Sequence, residues 1–185
     1  IRDRPKGPTG LDTKDGWLYG VNNKEGRFII FKVEDDKVVF ADGFDEKGKA
    51  VNFIYDKENP SKLGLDSEGI TVDNRGRVYL AAERDNNNKN VNYNTIIQVE
   101  DPYKNEKVLV ADRQWDITGL LPDVGANLGI ETVEWVDFKN LNGLLYDQKN
   151  NQPLDYNTYK DLYAGGIFFV GLEAVSYTHL RAHET

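Results

Sequence analysis

The sequence predicts an all-β protein, and more specifically an incomplete β-propeller of about two and a half four-stranded blades. Short runs rich in β-branched and aromatic residues, separated by turns, recur along most of the 185 residues. A hairpin pattern also repeats. Thr9–Asn23 (TGLDTKDGWLYGVNN) aligns with Glu68–Glu83 (EGITVDNRGRVYLAAE), and Glu131–Trp135 (ETVEW) begins a third copy. Four-stranded units repeated at a fixed period are typical of propeller blades around a central channel.

The first two predicted blades cover about residues 8–42 and 66–112. Turns such as TKDG, EDD and NRG separate their apolar runs and favour antiparallel neighbours. In the first blade, TGLD is followed by Trp17–Val21, Arg27–Val33 and Lys37–Asp42. In the second, the runs are Glu68–Asp73, Arg77–Ala82, Asn94–Glu100 and Lys107–Asp112.

The third predicted blade begins at about residue 129 and ends at about residue 174. Its strand-like runs are Gly129–Val136 and Gly166–Gly171, and an insertion from about Asp137 to Gly165 separates them. The insertion contains one helix candidate, DYNTYKDLY, with Asp155 as its N-cap. Because the insertion joins the first and second strands, we expect it to project on the side opposite the start of the blade.

A propeller of this repeat length usually needs six or more blades. We therefore expect residues 1–174 to be a partial propeller from a longer protein. Uncovered blade faces and strand edges predict a marginally stable chain that self-associates.

The last eleven residues, Val175–Thr185 (VSYTHLRAHET), resemble translated sequencing adapter. Both histidines of the chain, His179 and His183, lie there at a spacing that would suit a metal on one helix face. We interpret the segment as a non-native tail, and we expect it to be poorly ordered and without contacts to the blades. This interpretation excludes histidine chemistry from the rest of the chain.

The composition excludes several kinds of site. The net charge of −8 disfavours nucleic acid as a partner. The absence of cysteine excludes disulfides and zinc–thiolate sites. No apolar run approaches the roughly 18 residues of a membrane span.

Paired glutamates recur at one position of the repeat. If Asp73 faces Arg77 across the NRG turn, then Glu68 faces Ala82, and the next residue, Glu83, lies at the same end of the hairpin. The third copy has Glu131 and Glu173 at these positions, and the first has Thr9 with Asn22 or Asn23. The predicted ring of oxygen ligands at one channel mouth consists of Glu68, Glu83, Glu131 and Glu173, with Asp66 and Asp85 nearby.

Clustered carboxylates repel one another unless a positive charge lies between them. Calcium takes six to eight oxygen ligands in flexible geometry and needs neither histidine nor cysteine, so calcium is the predicted ion. The alternative is that each glutamate caps a strand end or pairs with a lysine or arginine.

The stretch EGITVDNRGRVYLAAERD resembles the Glu-Gly-aliphatic hairpins of β-propeller phytases and of the related "esterase-like activity of phytase" and SdiA-regulated families. The segments DVGANLGIETVEWV and GGIFFVGLEA are similar to secreted bacterial proteins of the esterase-like group. The resemblance implies calcium ligands at Glu68, Glu83 and Glu131.

Two functions remain open. The first is a calcium-binding, phytase-like or esterase-like hydrolase that acts on phosphate or other esters of small molecules. The second is a non-catalytic propeller that serves as a binding module. Either protein would be secreted or located in the cell envelope.

Overall fold

The computed structural model describes residues 10–22, 26–59, 63–161, 163–173 and 179–180. The three main sheets contain six, four and three strands, and a two-stranded hairpin lies in the insertion. The predicted all-β class is confirmed. In the described part of the chain, no helix has the length and apolar character needed to cross a membrane.

The first sheet starts with the four antiparallel strands predicted for the first blade. They are β1 (Gly10–Lys14), β2 (Trp17–Asn22), β3 (Arg27–Glu34) and β4 (Lys37–Phe40). Asp15 with Gly16, and Asp35 with Asp36, form the two tight turns, and all four residues have positive φ. Two-residue hairpin turns of this kind require that conformation. A further strand, β5 (Lys49–Asn52), pairs with the first residues of β3.

The second sheet differs from the prediction in its fourth strand. Its order is β10-β8-β7-β6, with the antiparallel strands β6 (Leu65–Val72), β7 (Val78–Asp85), β8 (Thr95–Val99) and β10 (Arg113–Asp116). The predicted fourth strand, Lys107–Asp112, instead contributes β9 (Val108–Val110), which pairs in parallel with β5 of the first sheet. The fourth strand of the second sheet is therefore Arg113–Asp116 and not Lys107–Asp112.

Lys49 explains why this segment crosses to the first sheet. Its side chain is buried, and its ammonium group donates hydrogen bonds to the carbonyl oxygens of Pro102 (2.8 Å) and Lys104 (2.7 Å). Leu109 then enters the core beside the first sheet. The strand that replaces it, Arg113–Asp116, has the sequence RQWD, which lacks the β-branched run that indicates a strand.

The third sheet pairs β11 (Ile130–Asp137) with β14 (Gly166–Leu172), as predicted. Between them lie α1 (Phe138–Leu141), β12 (Tyr146–Asp147), β13 (Gln152–Pro153) and α2 (Tyr156–Tyr159). Asp155 caps α2, as predicted, whereas α1 was not predicted. The insertion leaves the sheet where Asp137 pairs with Gly166, at the end opposite Ile130 and Leu172.

Part of the tail joins the third sheet. Residues His179–Leu180 form a short strand, β15, which pairs with Phe169 and Val170 of β14. The expectation that the tail makes no contact with the sheets is wrong for these two residues. The open edge of β14 offers unpaired backbone groups to any neighbouring segment, which gives a physical reason for this pairing. His183 and the other tail residues lie outside the described part of the chain.

The three sheets stack in series. Tyr19 and Ile30 of the first sheet pack in one core with Leu80 of the second. The opposite face of the second sheet packs through Tyr79 on Val170 of the third. The first strands of the sheets come close together, because a Cβ atom at Gly69 would lie 2.7 Å from the backbone nitrogen of Val133. Consecutive propeller blades have such an arrangement, but the described sheets do not close into a ring.

Candidate metal centre

Three register shifts set the positions of the glutamates, and one of them leaves Glu83 as an extra residue on β7 between Ala82 and Arg84. In the second sheet, Ser67 pairs with Ala82 and Gly69 pairs with Ala81, so Glu68 is an extra residue between two ladder positions. The prediction that Glu68 faces Ala82 is therefore wrong, because Ser67 takes that position. In the third sheet, Ile130 pairs with Leu172 and Thr132 with Gly171, so Glu131 is also a bulged residue. A bulge re-aims a side chain, and both sheets bulge at the same position of the repeat.

The structure brings all four predicted glutamates together in two acidic clusters that share Glu83. The first cluster is Asp66, Glu68 and Glu83, and the second is Glu83, Glu131 and Glu173. Within each cluster, one carboxylate oxygen from each residue lies within 4.8 Å of the others. The expectation that Glu68, Glu83 and Glu131 lie at the same end of the sheets is met.

Asp85 belongs to neither cluster. Its carboxylate accepts hydrogen bonds from the Tyr55 hydroxyl (2.9 Å) and from Asn87. In the first sheet, the equivalent positions Thr9 and Asn23 lie outside the described residues, and Asn22 ends β2. The described acidic site is therefore built from the second and third sheets.

The two clusters differ in their exposure to solvent. Asp66, Glu68 and Glu83 are buried, with Glu83 only 2% exposed. Glu131 is half-buried and Glu173 is exposed. An ion could therefore enter the second cluster directly from water, while Glu83 would hold its inner side.

The clusters also differ in their positive neighbours. The guanidinium group of Arg84 forms an ion pair with Asp66 and lies 3.7 Å from Oε1 of Glu83. In the part of the chain that the structure describes, no lysine or arginine forms an ion pair with Glu131 or Glu173. Arg84 therefore partly neutralises the negative charge of the first cluster. The second cluster is linked to Arg84 only through Glu83, the residue that the two clusters share.

The segment before β11 holds Glu83 in place. Gly129 donates its backbone N–H to Oε2 of Glu83 (3.3 Å), and its carbonyl accepts the N–H of Glu173 (3.0 Å). A Cβ atom at Gly129 would lie 2.8 Å from the Cβ of Glu83 and 2.2 Å from Oδ1 of Asn94, so only glycine fits. This contact ties the backbone of the third sheet to the central carboxylate.

Asn94 supports the same segment and was not among the predicted site residues. It is fully buried, and its side-chain oxygen accepts the N–H of Ile130 at 2.8 Å. It ends an asparagine-rich run whose composition is typical of a solvated loop, which hid its role. The position of Asn94 directly before β8 was the signal in the sequence for this role, since a short polar side chain there can form a hydrogen bond with a neighbouring backbone group.

Burial opposes ionisation of the central carboxylates. It raises the pKa of Glu83, and the charges of Asp66 and Glu131 raise it further, while the Gly129 N–H and Arg84 lower it. Burial also raises the pKa of Glu131, with a further contribution from Glu173. A cation between these groups would reverse that effect by favouring their charged forms.

Comparison with known protein families and with curated proteins finds no match to this chain. The function must therefore be argued from the geometry of the acidic clusters and from the sequence.

Proposed function

We propose that the second acidic cluster, Glu83–Glu131–Glu173, binds a divalent cation that prefers oxygen ligands. One observation carries the proposal. Three carboxylates from two successive sheets converge within 4.8 Å, and among the described residues neither Glu131 nor Glu173 has a basic partner. Two oxygens on opposite sides of a calcium ion are about 5 Å apart, since each bond is about 2.3–2.6 Å long. The observed spacing fits this requirement.

Calcium fits the donor set better than other common metals. The donors are carboxylates, and calcium binds a carboxylate through one or both of its oxygens in flexible geometry. Magnesium demands near-ideal octahedral geometry, which carboxylates on two different sheets are poorly placed to supply. Zinc and copper favour histidine or cysteine, and the clusters contain neither.

A bound cation would have a structural role and could have a chemical one. Glu83 lies in β7 of the second sheet, whereas Glu131 lies in β11 of the third sheet and Glu173 directly follows β14, so their common ligand would join the two sheets. Calcium there would also offer a positive charge to a phosphate or ester oxygen and lower the pKa of bound water. On this basis, and on the resemblance to propeller phytases, we propose a calcium-dependent ester hydrolase exported to the envelope or medium.

The pairing of Arg84 with Asp66 favours a second candidate, a non-catalytic binding propeller. An arginine that already neutralises the first cluster leaves fewer carboxylates for a second ion. A single structural ion at the second cluster would then serve only to hold the sheets together.

Isothermal titration of the metal-free chain with calcium, magnesium and zinc tests the cation site. Calcium is expected to bind most tightly, and Glu131→Gln is expected to weaken binding by at least about tenfold through loss of one charged ligand. Glu134→Gln is the matched control, because it makes the same change three residues along β11, outside both clusters. Equal calcium affinity in the Glu131 variant and the wild type would refute the site.

Hydrolysis separates the two functions. We expect calcium-stimulated release of phosphate from phytate, or of nitrophenol from a nitrophenyl ester. Calcium binding without any such release would favour the binding module. Release that is unchanged by calcium and by Glu131→Gln would refute a calcium-dependent hydrolase at this cluster.

A further inference from the structure

A cleft lies where the chain crosses from the second sheet to the first. It is lined by the segment that joins β8 to β9, by β9 itself, and by the two ends of the short 3-10 helix Ile54–Asp56. Its volume is about 470 Å³, which lies within the range of small-molecule sites. The cleft shares no residue with the two acidic clusters, so it is a separate feature of the molecule.

Hydrogen bonds to the backbone hold the lining of the cleft in place. The buried ammonium group of Lys49 donates to the carbonyl oxygens of Pro102 and Lys104, and Lys104 lines the cleft. Ala111 donates its backbone N–H to the carbonyl oxygen of Asn52 (2.9 Å), which fixes the chain at the end of β9. The cleft is therefore preformed, and a ligand would not have to bear the entropic cost of ordering it.

The inner lining of the cleft is apolar. Val99 and Leu109 line it and are only 1% and 2% exposed, so they lie at its base. Ile54 also lines it and is 40% exposed, so part of its apolar surface is in contact with water. An apolar group bound in the cleft would remove this surface from water, which is favourable.

Most of the charged side chains in the lining are compensated within the protein. The ammonium group of Lys104 lies 3.6 Å from Oδ1 of Asp112, and both residues line the cleft. Glu106 acts on the buried Lys49, because burial lowers the pKa of Lys49 and the negative charge of Glu106 raises it. Lys104, Asp112 and Glu106 therefore each have a neighbour of opposite charge.

Lys57 is the remaining charged residue of the lining. It directly follows the 3-10 helix, and it is exposed. In the part of the chain that the structure describes, no aspartate or glutamate forms an ion pair with its ammonium group. An uncompensated positive charge beside an apolar lining attracts an anion whose other end is apolar.

We infer that the cleft binds a small amphiphilic anion, in which a carboxylate or phosphate group is attached to an apolar body. The anionic group would lie beside Lys57, and the apolar body would lie against Ile54, Val99 and Leu109. This site is independent of the proposed cation site, because it is built from other residues.

NMR titration of the full chain with hexanoate tests the site, since hexanoate combines one carboxylate with an alkyl chain. Saturable changes in amide chemical shift are expected at Ile54, Val110 and Ala111, which line the cleft. The amides of Val33 and Val38, two exposed apolar residues outside the cleft, are the control. Shifts that do not saturate at the cleft, or that are equal at the control amides, would overturn the inference.

Two related compounds test the two parts of the ligand separately. Hexanol has the same alkyl chain without the charge, and it should bind about fivefold more weakly than hexanoate through loss of the attraction to Lys57. Acetate has the same carboxylate with much less apolar surface to bury, and it should bind at least about tenfold more weakly. Either compound binding as tightly as hexanoate would overturn the inference.

Lys57→Gln tests which residue binds the anionic group. It should weaken hexanoate binding by about fivefold and leave hexanol binding unchanged. Lys89→Gln is the matched control, because it makes the same change at an exposed lysine between β7 and β8, outside the cleft. Hexanoate affinity that is unchanged in Lys57→Gln, or reduced equally in both variants, would overturn the inference.

Discussion

Replacing Thr71 by valine tests whether its buried hydroxyl group holds the three sheets together. Thr71 is fully buried, and valine keeps its shape while removing the hydroxyl group. The hydroxyl donates to Oδ2 of Asp12 (2.9 Å) and accepts the N–H of Trp135 (3.0 Å). The substitution therefore removes contacts at both sheet junctions without creating a cavity.

The expected cost follows from these two bonds. A net hydrogen bond to a charged group contributes about 1.5–3 kcal/mol, and a buried donor left without a partner costs about 1–3 kcal/mol. Asp12 still accepts the N–H of Val72 in the variant, so the loss of its bond from Thr71 should cost close to the lower value of about 1.5 kcal/mol. We expect the free energy of unfolding to fall by about 2–4 kcal/mol, which lowers Tm by roughly 4–16 °C for a chain of this size.

Urea denaturation and calorimetry measure this loss, and amide hydrogen exchange locates it. The amide of Trp135 should exchange faster in the variant than in the wild type. Thr13→Val is the matched control, because it makes the same change at an exposed position and should shift stability by less than about 0.5 kcal/mol. A Thr71→Val chain as stable as the control, with the Trp135 amide still protected, would refute the reasoning.

Two further predictions follow from burial at the site and between the sheets. In the presence of a chelator, stability should fall as pH rises above the ordinary glutamate pKa of 4.5, because the folded-state pKa of Glu83 is raised and the unfolded chain ionises first. Urea titrations at several pH values should show a smaller fall in stability for Glu83→Gln than for the wild type. An equal fall in both proteins would contradict the prediction. Gly69→Ala should cost about 1–3 kcal/mol, because its Cβ would lie 2.7 Å from the backbone nitrogen of Val133. Gly119→Ala, where no atom lies within 4 Å, is the control, and equal melting temperatures for the two variants would contradict the close approach.

The strands and their repeat could be predicted because period-two apolar patterns and tight-turn residues are local signals. The first four strands, the hairpin around NRG and the interrupted third hairpin all follow from them. The pairing of β9 with β5 could not be predicted in this way. It depends on Lys49 bonding to carbonyls more than 50 residues away, and no local pattern encodes such a contact.

For the glutamates too, the sequence predicted what a repeated local pattern encodes and missed what depends on contacts with distant residues. Their recurrence in the repeat predicted that they would lie together, and the structure brings them together. The bulges at Glu68 and Glu131 were missed because one extra residue in a strand leaves no signal in an apolar run. Arg84 and Asn94 were missed because their roles depend on partners in other parts of the chain.

The two acidic clusters differ in how the repulsion between their carboxylates is compensated. Repeating a glutamate pair in successive sheets brings like charges together wherever the sheets meet, and burial makes that repulsion costly. In the first cluster, Arg84 supplies the compensating charge from the protein itself. In the second, the outer carboxylate is exposed and the described chain supplies no basic partner for it. Without a metal, only ions from the solvent can compensate the negative charge of the second cluster. A bound cation would therefore stabilise the second cluster more than the first. The difference between the clusters, rather than the number of carboxylates, places the proposed ion at Glu83, Glu131 and Glu173.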